Sequence, residues 1–123
     1  MTQTIFPSLR YRDAKAAIEW LEKAFGFEPH EVHADGDVVV HAELSYGGNL
    51  VMMGSVKEDD FGSHEGEGWI YVVTDDADAL FERATAAGAA VVRGLEDQDY
   101  GSRDFSVRDP EGNLWSFGTY QPS

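Results

Sequence analysis

Three features of this 123-residue chain predict an α+β fold of two tandem β-α-β-β-β modules. A helical stretch opening at Asp13-Ala14 and closing at Phe25-Gly26 returns about 63 residues later, from Asp76-Ala77 to Ala87-Gly88. The run Gly48-Asn49-Leu50-Val51-Met52-Met53-Gly54 returns about 64 positions on as Gly112-Asn113-Leu114-Trp115-Ser116-Phe117-Gly118. Runs of β-formers stand before and after each helix. Module one is assigned to residues 4–54 and module two to residues 69–120, with 55–68 joining them. Neither module is large enough to bury a core alone, so residues 1–123 form one domain.

Ile5 to Tyr11 supplies the first strand, and Asp13 can cap the free N–H groups of the helix that follows. Ala14, Ala17, Ile18, Leu21, Ala24 and Phe25 recur at spacings of three and four, which gives that helix one apolar stripe. Gly26 suits the left-handed conformation that ends it. Further on, Val38, Val40, Ala42 and Leu44 alternate with Asp37, Val39, His41, Glu43 and Ser45, so the first set is expected to face the helix and the second a pocket or solvent. Gly47-Gly48-Asn49 is a turn, and Leu50–Gly54 is the return strand. The polar stretch 55–68 has no periodicity and reads as a linker or as a lid over a site. Module two repeats the order: a strand at Trp69–Thr74, a helix carrying Ala77, Leu80, Phe81, Ala84 and Ala87, and a short strand near Ala90–Arg93. Strands at Ser102–Asp109 and Asn113–Tyr120 follow, joined by the turn Asp109-Pro110-Glu111-Gly112-Asn113.

Composition narrows the function. Nine Lys and Arg against 23 Asp and Glu give a net charge of −14, which repels nucleic acid and anionic membrane alike. Such an excess serves solubility, or it makes a field that attracts cationic small molecules. With no cysteine there is no disulfide, thiolate metal site or cysteine nucleophile. No apolar run is long enough to span a bilayer, and the first residues lack a basic flank and apolar segment, so a cytoplasmic protein is expected.

The paired modules, the helix start Arg12-Asp13-Ala14 through Ala17-Ile18 to Trp20, and the Asp109-Pro110-Glu111-Gly112-Asn113 turn before the last strand resemble the vicinal oxygen chelate superfamily. That group holds glyoxalase I, extradiol dioxygenases and the fosfomycin- and bleomycin-resistance proteins. The resemblance covers essentially the whole chain and implies a curled mixed sheet around a cleft, often completed by a second copy in a homodimer. It also implies where metal-dependent relatives carry their ligands: on the first and last strands of each module. Those positions here are Phe6, Trp69, Met52 and Ser116. None is a good donor for a divalent cation, so the expectation is no metal and no other cofactor. The nearest relatives implied are metal-free members of the bleomycin-resistance kind.

Strand alternation places Phe6, Ser8 and Arg10 on one face, and Trp69, Tyr71 and Val73 on the copy of that face. Phe6, Trp69 and Tyr71 then offer aromatic surface to a planar ring or a cation, or else they simply fill the barrel. His41 and Glu43, two apart on one strand face, form an acid and base pair or an ordinary surface pair. A metal site of His33, His41 and Glu43 is the minor alternative, and His30 and His64 are expected on the surface. The resemblance also places Arg103 and Phe105 along the cleft, with Asp104 on the opposite face and Tyr100 at the rim; Arg103 answers a local acid equally well. The expected ligand-binding set is thus Phe6, Ser8, His41, Glu43, Met52, Trp69, Tyr71, Tyr100, Arg103, Phe105 and Ser116. The expected function is sequestration of a small aromatic natural product or antibiotic, cationic if the acidic field selects it. The alternative is a metal-independent isomerase, lyase or hydrolase using His41 and Glu43.

Overall fold

The computed structural model describes residues 3–122, so Met1 and Thr2, on which the reading of the chain's start partly rests, lie outside it. The order is β1 (Ser8–Tyr11), α1 (Ala14–Phe25), β2 (Glu28–Asp35), β3 (Val38–Tyr46), β4 (Asn49–Ser55), β5 (Trp69–Val73), α2 (Ala77–Ala86), β6 (Ala90–Asp97), β7 (Arg103–Arg108) and β8 (Leu114–Gly118). Each module is therefore β-α-β-β-β. The strands form two four-stranded sheets of matching topology, β1-β4-β3-β2 and β5-β8-β7-β6, in which the module's first strand runs parallel to its last.

The helices start where the chain offers a cap. Asp13 accepts from the Ala16 amide and Asp76 from the Ala79 amide, each meeting a donor that the first helical turn leaves free. Gly26 ends α1 at φ 82°, where a side chain would be strained. Phe25 packs against Trp115 and Phe117 of β8, with ring centroids 5.4 and 4.6 Å apart. The apolar stripe of α1 thus reaches both sheets, and one core serves both modules. Trp20 Nε1 donates to the Ala87 carbonyl and the Arg83 guanidinium to the carbonyls of Glu22 and Lys23, which ties α1 to the segment of α2.

Two expectations about strands need correction. The first strand begins at Ser8 and not Ile5: Pro7 has no N–H to donate, so the ladder cannot extend through it, and Phe6 lies ahead of the strand. On β3 the alternation breaks. Val39 pairs with Ala34 and His41 with His33, which leaves Val40 as an extra residue, a β-bulge. The bulge shifts the phase, so that Val39 is buried with Ala42 and Leu44 while Val38 and Val40 are exposed. Gly54 on β4 lies beside this bulge, where a Cβ would stand 3.2 and 3.3 Å from the carbonyl oxygens of Val39 and Val40.

Among the described residues no helix is long and apolar enough to cross a membrane. The edge strand β2 is exposed along its whole length and β6 along all but Leu95.

Candidate functional site

One face of each sheet lies against the helices, and the other is open. On the open face of the second sheet, register builds a row across all four strands: Tyr71 (β5) stands opposite Ser116 (β8), Ser116 opposite Ser106 (β7), and Ser106 opposite Arg93 (β6). Residues directly opposite in a sheet share a face. A hollow of about 400 Å³ lies over this row, lined by Trp69, Tyr71, Arg93, Tyr100, Asp104, Ser106 and Ser116.

Hydrogen bonds fix the groups in place. Trp69 Nε1 donates to Ser116 Oγ over 3.1 Å, and Ser116 Oγ shares a hydrogen with Ser106 Oγ at 2.7 Å. The indole is held by its nitrogen while the side chain stands 73 % exposed. Tyr71 donates to the Tyr120 carbonyl at 2.7 Å, and Tyr100 lies edge-on to Tyr120. Burial, and after it the negative charge of Asp104, raises the Tyr100 phenol above its ordinary value. Burial likewise raises that of Tyr71, against a hydrogen bond with Ser102 that lowers it. Both phenols are therefore protonated donors at neutral pH. The face combines an ordered indole, two phenols and a hydroxyl pair, a surface suited to stacking and orienting a planar ring.

The first sheet carries the equivalent row: Ser8 opposite Met52, Met52 opposite Glu43, and Glu43 opposite Glu31. His41 and Glu43 are joined at 2.9 Å, and His30 reaches the other Glu43 oxygen at 4.0 Å. The hollow on this side, about 150 Å³, is lined by Ser8, Arg10, Val40, His41, Met52 and their neighbours and shares no residue with the other. Arg10, at the edge of this hollow, is engaged by the 55–68 stretch. Its guanidinium holds the Asp59 carboxylate and the carbonyls of Lys57 and Gly62, and lies 5.9 Å over the Phe61 ring.

Of the expected ligand-binding residues, Trp69, Tyr71, Tyr100 and Ser116 meet on the second sheet, and Ser8, His41, Glu43 and Met52 on the first. Phe6 is partly exposed beside the first strand and lines neither hollow. Arg103 and Phe105 are corrected. Phe105 is fully buried, packed on Phe117 and Phe81, and so belongs to the core. Arg103 sits on the helix side, donating to Asp78 of α2 and to Asp97. Asp104, expected to face away from the cleft, lines it instead.

Missed by the sequence reading were Arg93, Asp104 and Ser106. For the two residues of β7 the signal was there: Asp109 N donates to Asn113 O across the turn, and counting outward pairs Val107 with Trp115 and Ser106 with Ser116. That count alone puts Ser106 with Ser116 and sends Phe105 to the other face.

Metal-dependent members of this fold need a set of nitrogen or oxygen donors at the four positions named above, and these residues do not fit one. Phe6 and Trp69 have none to give, Met52 offers a thioether, and the Ser116 hydroxyl is already engaged by Trp69 and Ser106. The rings of His33 and His41 lie 6.4 Å apart with planes 20° from parallel, and their Nε2 atoms meet different carboxylates, Glu31 for His33 and Glu43 for His41. Among the described residues no group of three His, Asp or Glu side chains is arranged to hold a metal ion.

Comparison with known proteins agrees with this fold. A family model described as "Glyoxalase/Bleomycin resistance protein/Dioxygenase superfamily" matches residues 4–117. An uncharacterized protein of Mycobacterium bovis is 36% identical over 91% of this chain and 80% of its own length. The crystal structure of TioX from Micromonospora sp. ML1 superposes with a TM-score of 0.85 and 34% identity, covering 98% of this chain and all, 100%, of that one. TnmS3, an antibiotic binding protein from Streptomyces sp. CB03234, shares the fold with a TM-score of 0.74 at 21% identity, over 100% of this chain and 98% of its own.

Proposed function

The chain belongs to the glyoxalase/bleomycin resistance protein/dioxygenase superfamily, and from that premise we propose that it is a metal-free binding protein that sequesters a small aromatic natural product or antibiotic. One observation carries the reading: Trp69 is largely exposed yet oriented by its hydrogen bond to Ser116, beside Tyr71 and Tyr100. An exposed indole costs the free protein favourable burial, and a stacked ligand restores it. The same fold serves antibiotic binding in TnmS3, which supports the reading by analogy of architecture only.

A homodimer is part of this proposal. The open faces of one chain are two separate hollows, and Val38 and Val40 on β3 and Val91 and Val92 on β6 are exposed. A second copy that brings its first sheet against this chain's second sheet would close the cleft. Sedimentation velocity tests it: a dimer is expected, and a monomer at micromolar concentration defeats it. For binding, a thermal-shift and fluorescence screen of planar aromatic compounds, bleomycin-like molecules included, is the test. Binders that quench Trp69, with Trp69→Ala weakening them roughly 10- to 100-fold, are expected. A screen without a single binder sinks the reading.

A second reading rests on the contact of His41 with Glu43 at 2.9 Å, a pair able to move a proton in a metal-independent isomerase, lyase or hydrolase. Turnover abolished by His41→Ala, with ligand binding kept, would favour it over sequestration.

A further inference from the structure

We propose that Arg93 is the anion-recognising group of the second sheet's open face, and that the ligand is accordingly a planar aromatic molecule bearing a carboxylate. This rests on the reading of that face as a binding site and names the chemistry of its occupant.

The acidic excess of the chain makes a free guanidinium unexpected. Arg10, Arg12 and Arg103 are engaged by carboxylates, and Arg83 and Arg108 by backbone carbonyls. Among the described residues Arg93 alone of the arginines has neither an ion-pair nor a hydrogen-bond partner, and it lies on the aromatic face. It stands directly opposite Ser106, at the end of the row that runs through Ser116 to Tyr71. The acid that shares this hollow, Asp104, is held by other donors: Gln98 Nε2 at 3.0 Å and the Tyr100 hydroxyl at 3.3 Å. The local carboxylate is thus occupied while the local cation is left open.

A guanidinium presents two parallel N–H groups that match a carboxylate, and the Ser106 hydroxyl across from it can serve a further ligand oxygen. Trp69 and Tyr71, both on β5 and two strands beyond Ser106, would receive the ring. The repeat sharpens the point. The position equivalent to Arg93 in the first sheet's row is Glu31, and that equivalent to Ser106 is Glu43. One row therefore ends in a carboxylate where the other ends in a cation. The charge of the whole chain favours a cationic ligand, whereas this face is built for an anionic end.

The test uses 2-naphthoate and its neutral analogue 2-naphthamide, titrated into the full-length protein by calorimetry and by Trp69 fluorescence. The naphthoate is expected to bind at least about 10-fold more tightly than the amide. Arg93→Gln is expected to erase that preference, with the naphthoate losing at least about 10-fold and the amide clearly less, and with the sedimentation behaviour unchanged. Equal binding of both probes to the natural protein, with Trp69→Ala weakening both, overturns the anion assignment and leaves the aromatic binding face standing. A variant that loses both probes equally, or whose oligomeric state changes, also overturns it, since Arg93 then has a structural role. Binding of neither probe overturns it together with the reading beneath it.

Discussion

Tyr11 of β1 donates its phenolic hydrogen to Asp109 Oδ2 at 2.6 Å, which fastens the first module to the turn of the second. Asp109 also accepts from Trp115 Nε1 at 3.0 Å and from the amides of Glu111 and Asn113. A buried carboxylate with four donors is satisfied, and removal of one donor costs more than a surface bond would.

Tyr11→Phe is therefore expected to lower unfolding stability by about 1.5–3 kcal/mol, read from urea denaturation. Burial, and then the charge of Asp109, raises the Tyr11 phenol far above its ordinary value. The folded state keeps this proton after the unfolded chain has begun to lose it, so the contribution is complete below the ordinary tyrosine value and declines as pH rises past it. Above a pH of about 10 the natural protein should lose roughly 1.4 kcal/mol per pH unit from this group, a slope that Tyr11→Phe lacks. Equal alkaline slopes in both proteins would contradict the assignment.

Arg83→Met removes the guanidinium that meets the Glu22 and Lys23 carbonyls at the end of α1. A helix C-terminus left without that cation and those donors should cost about 1–2 kcal/mol by denaturant titration. Arg83→Lys should recover part of it, because one ammonium cannot replace the two-pronged contact.

Gly118→Ala tests the support beneath the aromatic face. A Cβ there would come within 2.7 Å of Tyr71 Oη and 2.8 Å of Asp104 Cβ. Tyr71 should move and lose its bond to the Tyr120 carbonyl, weakening aromatic ligands roughly 10-fold. The melting temperature should fall with it. Unchanged binding in a folded Gly118→Ala protein would remove Tyr71 from the site.

The Arg10–Asp59 pair predicts a pH-dependent strap. The hydrogen bonds from Arg10 hold the Asp59 carboxyl below its ordinary value. Its contribution is present above the ordinary carboxylate value and is lost as pH falls through the lowered one. Amide-exchange protection at Phe61, whose N–H donates to Asp59, should be constant near neutrality and drop in that acid window. Arg10→Gln should abolish protection at every pH. Protection that persists in the variant would show that the 55–68 stretch is held by something else.

The helices were legible in the chain because their signals are local. Asp13, Gly26 and the stripe from Ala14 to Phe25 give α1 its bounds without reference to anything distant. Faces of strands were less legible because they depend on register. One extra residue at Val40 exchanged the roles of Val38 and Val39 on β3, and no local propensity marks it. Phe105 and Arg103 were assigned by likeness to other chains, although the pairing outward from Asp109 and Asn113 contained the answer. Arg93 was invisible for a different reason: its lack of a partner is a property of the folded surface, since acids abound in its sequence neighbourhood.

The duplicated scaffold has one consequence for change over time. The rows Ser8–Met52–Glu43–Glu31 and Tyr71–Ser116–Ser106–Arg93 occupy matching strand positions, yet their hollows share no lining residue. A substitution on one wall changes no residue that lines the other. The repeat thus gives each hollow a set of residues of its own, so either wall can be rebuilt by substitution without changing a residue of the other.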